Sequence, residues 1–319
     1  MSSSNSMQTP THATMKDDTT NTCADHPAPA WHAAGTPDDL PGWARELLDD
    51  QPAKAFRKEH HDLTEWSDGH VTHRRVVLHD ARSMEGGEFT KRARDAYADL
   101  LDGIPKRDIF RIWNFIPGIN ARDESDQDRY MRFNAARFQA FEGQPDDEHP
   151  YPPASGVGHE GRDLVLHLLR GNVVVEAVDN PRQILPERYS ETWGKLPPVF
   201  IRSALVSGVL EDRMLIISGT ASVRGEETMH VDDLDAQLDE TIRNIEELLR
   251  ATTEGDDDPK LDSMLIYVPK AEHLDHLRKR IMNELAGPST TAEFRVAQLC
   301  RDKLLVEIEG TMVVKAGTS

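Results

Sequence analysis

An order of strand and helix signals that occurs twice along the chain limits its fold more than any other feature. The first pass opens with VTHRRVVLHD (71–80), an apolar, β-branched run that reads as a strand. A helix over 89–101 is stopped by Gly103 and Pro105; a strand over 108–117 and a helix over 128–141, stopped by Gly143 and Pro145, come next. Strands DLVLHLLRG (163–171) and NVVVEAVD (172–179) complete the pass. The second pass has strands at 200–207 and 213–223, a strongly periodic helix at 232–250 and a strand at 264–269. A helix at 271–285, stopped by Gly287 and Pro288, and strands at 294–299 and 304–314 end it. Each half reads as strands, helix, strand, helix, strands. A duplication this long is no solenoid, so the expectation is an α+β protein of two similar subdomains, each with two helices on one face of a sheet.

Residues 36–180 and 181–319 are the expected subdomains. Residues 1–35, rich in Ser, Thr, Asn, Asp, Pro and Ala, are expected to form a disordered extension. Between them and the first strand, a short helix over 43–56 and a charged connector through Gly69 are expected. The formal charge is −19, from 37 basic and 56 acidic residues, which argues against nucleic acid and anionic membranes as partners. Two cysteines, Cys23 and Cys300, make no disulfide framework and suit a reduced, cytoplasmic protein. No apolar run approaches the roughly 18 residues of a membrane helix, and the N-terminus lacks the basic and apolar regions of a secretory signal.

Chemistry concentrates near the C-terminus, in CRDKLLVEIEG (300–310). Along a strand, Val306 and Ile308 point one way and Leu305, Glu307 and Glu309 the other. A carboxyl buried there without a cationic partner would exchange a proton near neutrality. Cys300, seven residues before Glu307, faces the same cavity on this reading. The alternative is an exposed strand edge carrying both acids. Five arginines in apolar or aromatic segments, Arg111, Arg129, Arg137, Arg182 and Arg202, suggest a pocket for an anion, with a simple ion pair as the alternative for each. Arg129 and Arg137 stand eight residues apart on one helix, just over two turns. Tyr130, Tyr189 and Trp193 are candidate walls. The run GVGHEG (156–161) matches GxGxxG but follows two prolines and precedes a strand, so it reads as a turn or substrate loop rather than a nucleotide site. His273 and His276 lack a third ligand at metal spacing, so no metal site is expected.

The second half resembles the RidA/YjgF superfamily in IISGTASVRGEETMHVDDLDAQLDETIRNIEELL (216–249) and LLVEIEG (304–310). From Val71 onward the chain more specifically resembles the chorismatase family. The motifs are RIWNFIPGIN (111–120), RYMRFNAARFQAF (129–141), YPPASGVG (151–158), NPRQILPERY (180–189), PPVFIRSAL (197–205), SGTASV (218–223) and LCRDKLLVEIEG (299–310). The resemblance implies two RidA-like (chorismate mutase-like) subdomains in tandem and removal of pyruvate from chorismate without a cofactor. It places the catalytic glutamate at Glu307. It implies a cysteine at the Cys300 position in members that form 3-hydroxybenzoate, and alanine at the Ala221 position in members that stop at a cyclohexadiene diol. This chain carries both, so the nearest pattern is that of members forming 3- and 4-hydroxybenzoate. Chorismate has two carboxylates, which Arg129, Arg137, Arg182 and Arg202, with Tyr189, are the candidates to bind. The alternatives are hydrolysis to the diol and a non-catalytic RidA-like binding protein. RidA-like proteins are commonly trimers, while a tandem chain satisfies part of that packing internally, so a monomer or a trimer is expected.

Overall fold

Both halves of the chain build the same sheet. The computed structural model describes residues 40–48, 53–142, 151–253 and 258–315; the expected extension at 1–35, with Cys23, lies outside them. The first half contains α1 (Gly42–Glu46), β1 (Lys54–Arg57), β2 (His61–Ser67), β3 (Val71–Leu78), α2 (Gly86–Leu101), β4 (Ile109–Pro117), α3 (Arg129–Glu142), β5 (Ala154–His159) and β6 (Leu164–Gly171). The second contains β7 (Val174–Val178), β8 (Ser203–Ser207), β9 (Arg213–Ala221), the short pair β10 (Val223–Arg224) and β11 (Glu227–Thr228), and α4 (Leu234–Arg250). It ends with β12 (Leu261–Val268), α5 (Leu274–Leu285), β13 (Ala286–Val296) and β14 (Glu307–Val314).

The first six-stranded sheet runs β1-β2-β3-β6-β4-β5, and the second, read from its other edge, runs β7-β8-β9-β14-β12-β13. Position by position these are the same order. The parallel pair in each, β4 with β5 and β12 with β13, is the pair joined through a helix, α3 or α5. Parallel neighbours need such a crossover.

Strand alternation divides the apolar side chains between two kinds of core. Val76, Leu78, Ile112, Ile116 and Leu166 face Phe89, Ala93, Tyr97 and Phe133 of α2 and α3. Leu215, Ile217, Met264, Ile266 and Ile308 face Leu238, Ile242, Leu277 and Ile281 of α4 and α5. The opposite faces of the two sheets meet each other, with Val77, Phe110, Trp113, Phe115 and Val165 against Ala204, Val206, Met214, Ile216, Leu265 and Tyr267. The layers are helices, sheet, sheet, helices, which explains why the central strands are apolar on both faces. Among the described residues no helix is long and apolar enough to cross a membrane.

Four local expectations change. The helix expected over 43–56 reaches only Glu46 as α1, β1 begins at Lys54 and β2 follows in the connector; β1 is exposed and β2 half-buried, and their many polar residues hide the period. Glycine-rich 154–159 is strand β5 rather than a turn: a Cβ at Gly158 would lie 2.5 Å from Ile119 Cγ2, and one at Gly156 3.3 Å from a Tyr130 ring carbon. These glycines admit close neighbours, so they mark crowding instead of a bend. Strand β13 begins directly after α5 in spite of Gly287 and Pro288, which an edge strand tolerates. Finally, β7 pairs with β8, so the sheets part between Gly171 and Val174, ahead of the expected 180/181 division.

Candidate active site

Strand β14 enters the second sheet at Glu307, and a cavity of about 290 Å³ opens against it. Its walls come from both halves: α3 and β5 from the first, and the segments around Tyr189, Phe200, Gly219 and Cys300 from the second. The lead-in to β14 is pinned by Gln237 of α4, which is fully buried. Its Nε2 donates to the Lys303 carbonyl at 2.7 Å, and its Oε1 accepts from the Leu305 N–H at 2.8 Å.

Glu307 pairs with Ala221 of β9 and Tyr267 of β12, so it stands inside the sheet, and it is only 3% exposed. That excludes the exposed-edge alternative. Burial pushes its carboxyl up to about 8, helped by the neighbouring Glu309 and opposed by Arg111 and Arg202. Among the described residues, no side chain or backbone group donates a hydrogen bond to it. The close seat depends on Gly219, where a Cβ would fall on Glu307 Oε1 and lie 2.9 Å from its Cδ. Cys300 lines the same cavity, and burial first, then Glu307, pushes its thiol up to about 12. It is therefore a neutral thiol near pH 7 and not the thiolate that nucleophilic attack needs.

Glu309, on the same strand face, is 2% exposed and satisfied by three donors. Arg111 Nη2 reaches its Oε2 at 2.6 Å, Trp113 Nε1 reaches its Oε1 at 2.7 Å, and the Ser155 hydroxyl donates to Oε2. Arg111, counted above among the anion-pocket candidates, is thus committed to an ion pair between the sheets.

The remaining arginines separate by location. Arg137 lines the cavity, buried, with Nε and Nη2 lacking hydrogen-bond partners and the rings of Tyr97 and Phe141 at 5.8 and 6.0 Å. Arg202, just ahead of β8, also lines it; it donates to the Tyr189 hydroxyl and to the Ile184 carbonyl at 3.3 Å, and its Nε is unpartnered. Neither makes an ion pair with an acid among the described residues. Ala221 completes the wall beside Glu307.

Arg129 and Arg182 lie outside the cavity. Arg129 donates to the carbonyls of Ala81, Arg82 and Met84 at 2.7, 3.1 and 3.3 Å and covers the Phe89 ring, beside a smaller neighbouring cavity. Eight residues at about 100° each leave roughly 80° between Arg129 and Arg137, enough to send them to different sides of α3. Arg182 is held by Glu240 Oε1 at 2.5 Å and Asn244 Oδ1 at 2.9 Å on α4.

The structure also adds residues. Asn134, one turn before Arg137, is buried in the cavity wall with both amide atoms unpartnered. Its i, i+3 spacing from Arg137 was available in the sequence. Arg301 lies 3.4 Å over the Trp193 ring and donates to the Glu226 carbonyl at 2.7 Å, binding the Tyr189–Trp193 segment to the Cys300 loop. Tyr130, already a candidate wall in the sequence, is half-buried in the same wall, its phenol pushed above its ordinary range chiefly by loss of solvent. Nothing in the sequence marks Ser155.

Residues 50–170 match the family model described as chorismatase FkbO/Hyg5-like, N-terminal. A 3-hydroxybenzoate synthase of Streptomyces hygroscopicus is 31% identical over 244 residues, 71% of this chain and 71% of that one. A chorismatase of Streptomyces rapamycinicus is 28% identical over 246 residues, 73% of each chain. A crystal structure of a chorismatase aligns with a TM-score of 0.68 at 26% identity, covering 82% of this chain and 80% of that chain. Sequence identity sustained across more than two thirds of both chains, on a shared two-sheet architecture, places this chain in the chorismatase family.

Proposed function

We propose that this protein removes pyruvate from chorismate to form 3-hydroxybenzoate, with or without 4-hydroxybenzoate. The observation that carries the proposal is a buried carboxylic acid, Glu307, pushed up to about 8 in a cavity that also holds two arginines without acid partners. Chorismate presents two carboxylates and an enol ether. Arg137 and Arg202 each take a carboxylate, for which the guanidinium fork is matched. Tyr189 orients Arg202 through its hydroxyl. Glu307 then protonates the methylene carbon of the enol ether, and the bond between the ring and the ether oxygen breaks as pyruvate leaves with that oxygen. Transfer of the neighbouring hydroxyl oxygen to the vacated ring carbon, with loss of that carbon's proton, gives 3-hydroxybenzoate, and proton loss without the transfer gives 4-hydroxybenzoate. Chorismate and the sum of pyruvate and hydroxybenzoate contain the same atoms, so aromatisation consumes no water. The neutral Cys300 thiol moves the proton that aromatisation requires. The diol, by contrast, needs one water, and Ala221 beside Glu307 favours that second reading.

Incubation with chorismate, with products separated by chromatography and identified by mass spectrometry, tests the proposal. Equal amounts of pyruvate and hydroxybenzoate are expected; absence of pyruvate overturns it. Cys300→Ala is expected to retain part of the pyruvate release while hydroxybenzoate falls and diol rises. An unaltered hydroxybenzoate-to-pyruvate ratio removes Cys300 from the chemistry. Arg202→Lys keeps the charge but loses the fork, so KM is expected to rise about tenfold, the scale of one charge-assisted hydrogen bond. Unchanged KM and kcat in that variant rule out carboxylate binding by Arg202.

A further inference from the structure

We propose that Glu309 is a positioning residue that holds Glu307 in its proton-donating form, through a buried network supplied by the other half of the chain. This rests on the reading of Glu307 as the acid and explains how that acid is kept loaded.

Residues two apart on a strand share a face, so Glu307 and Glu309 stand next to each other on the same side of β14. Both are buried. Two carboxylates so placed are not both ionised cheaply, and the donors around them decide which one carries the charge. Those donors are unequally divided. Arg111 Nη2, Trp113 Nε1 and the Ser155 hydroxyl all point at Glu309, while among the described residues none points at Glu307. The charge therefore settles on Glu309 and the shared proton on Glu307.

The network has little freedom to rearrange. Ser155 Oγ also accepts from Arg111 Nη2 at 2.5 Å and from the Gly219 N–H at 2.9 Å. The Arg111 guanidinium lies 4.7 Å over the Trp113 ring. Arg111 and Trp113 come from β4 and Ser155 from β5, whereas both glutamates come from β14. The first half thus supplies the donors that fix the charge, and the second half supplies the acid. Other ionisable groups facing Glu307 are Arg202 ahead of β8, Cys300, Tyr130 of α3 and Tyr267 of β12. None of these bonds Glu307, so Glu309 with Arg111 is the adjoining charge set that discriminates the two acids.

Glu309→Gln preserves shape and removes the charge, leaving Arg111 uncompensated beside Glu307. Glu307 is then expected to lose its proton at lower pH, with the alkaline limb of kcat/KM moving down by about one pH unit or more. Activity on the acid side of the profile is retained. Infrared titration of the Glu307 carboxyl, assigned by its loss in Glu307→Gln and recorded without chorismate, is expected to show the same downward movement. A uniform loss of activity with an unmoved carboxyl midpoint overturns the proposal, because it marks Glu309 as structural support alone. If Glu309→Gln does not fold, the double variant Arg111→Gln with Glu309→Gln decides, since it removes both charges without leaving one buried alone. Because Glu309 outweighs Arg111 in its effect on Glu307, a smaller downward movement is expected and an unmoved midpoint overturns the proposal. A midpoint that moves in a protein releasing no pyruvate from chorismate would sink the proposed function and leave this coupling standing.

Discussion

Glu307→Gln is expected to lower turnover on chorismate about 10²–10⁴-fold, the contribution of a positioned general acid, while the protein folds normally. Gln keeps the side-chain volume, and no hydrogen bond to Glu307 is lost among the described residues, so packing has no reason to change. The loss is chemical, because an amide N–H is far too weak an acid to protonate an enol ether. Stability should move the other way. Glu307 binds its proton more tightly when folded, at about 8 against an ordinary 4.5, so folding stability from this group falls as pH rises through that window. The variant lacks that loss, and its advantage in melting temperature over the wild type is expected to grow from acidic pH to above pH 8, as seen in thermal melts across that range. Near wild-type turnover in Glu307→Gln would move the proton transfer elsewhere. An unchanged difference in melting temperature across pH would show that Glu307 is not held protonated.

Gly219→Ala is expected to cost about 10²-fold in kcat, the scale of a catalytic group displaced by an ångström. The added methyl would fall on Glu307 Oε1 and 3.2 Å from Ser155 Oγ. The strand pairing of β9 is not broken by alanine, so the side chain of Glu307 must yield rather than the sheet. Circular dichroism and melting close to the wild type, together with the loss in kcat, are the expected pair of results. Wild-type kcat in Gly219→Ala would mean that Glu307 works from another rotamer, with the cavity floor differently arranged.

Much of this architecture is legible without coordinates, because it rests on local signals. Helices α2 to α5 follow from periodicity, three of them with Gly and Pro after their ends, and the central strands from apolar runs long enough to be buried on both faces. Their order repeats, and the repeat is the tandem fold. Glu307 and Glu309 were identifiable as same-face acids in an apolar strand, and Cys300 as their neighbour. The strands β1, β2 and β5 were not legible: β1 is exposed and β2 half-buried, both rich in polar residues, and the third is glycine-rich, with crowding that comes from Ile119, Tyr130 and Gln298.

The division of labour among the charged residues was decided only by the tertiary structure. In the sequence Arg111, Arg129, Arg137, Arg182 and Arg202 look alike, each a cation in an apolar setting. Arg111 is taken by Glu309, 198 residues away, and Arg182 by Glu240, 58 residues away. Arg129 is turned off the cavity side of its helix, and Arg137 and Arg202 line the cavity with no acid partner among the described residues. Composition shows how many acids and bases a chain has, whereas partners are chosen by distance in space. At these buried positions some arginines are paired with an acid and others are not, and that distinction exists only once the two sheets have met.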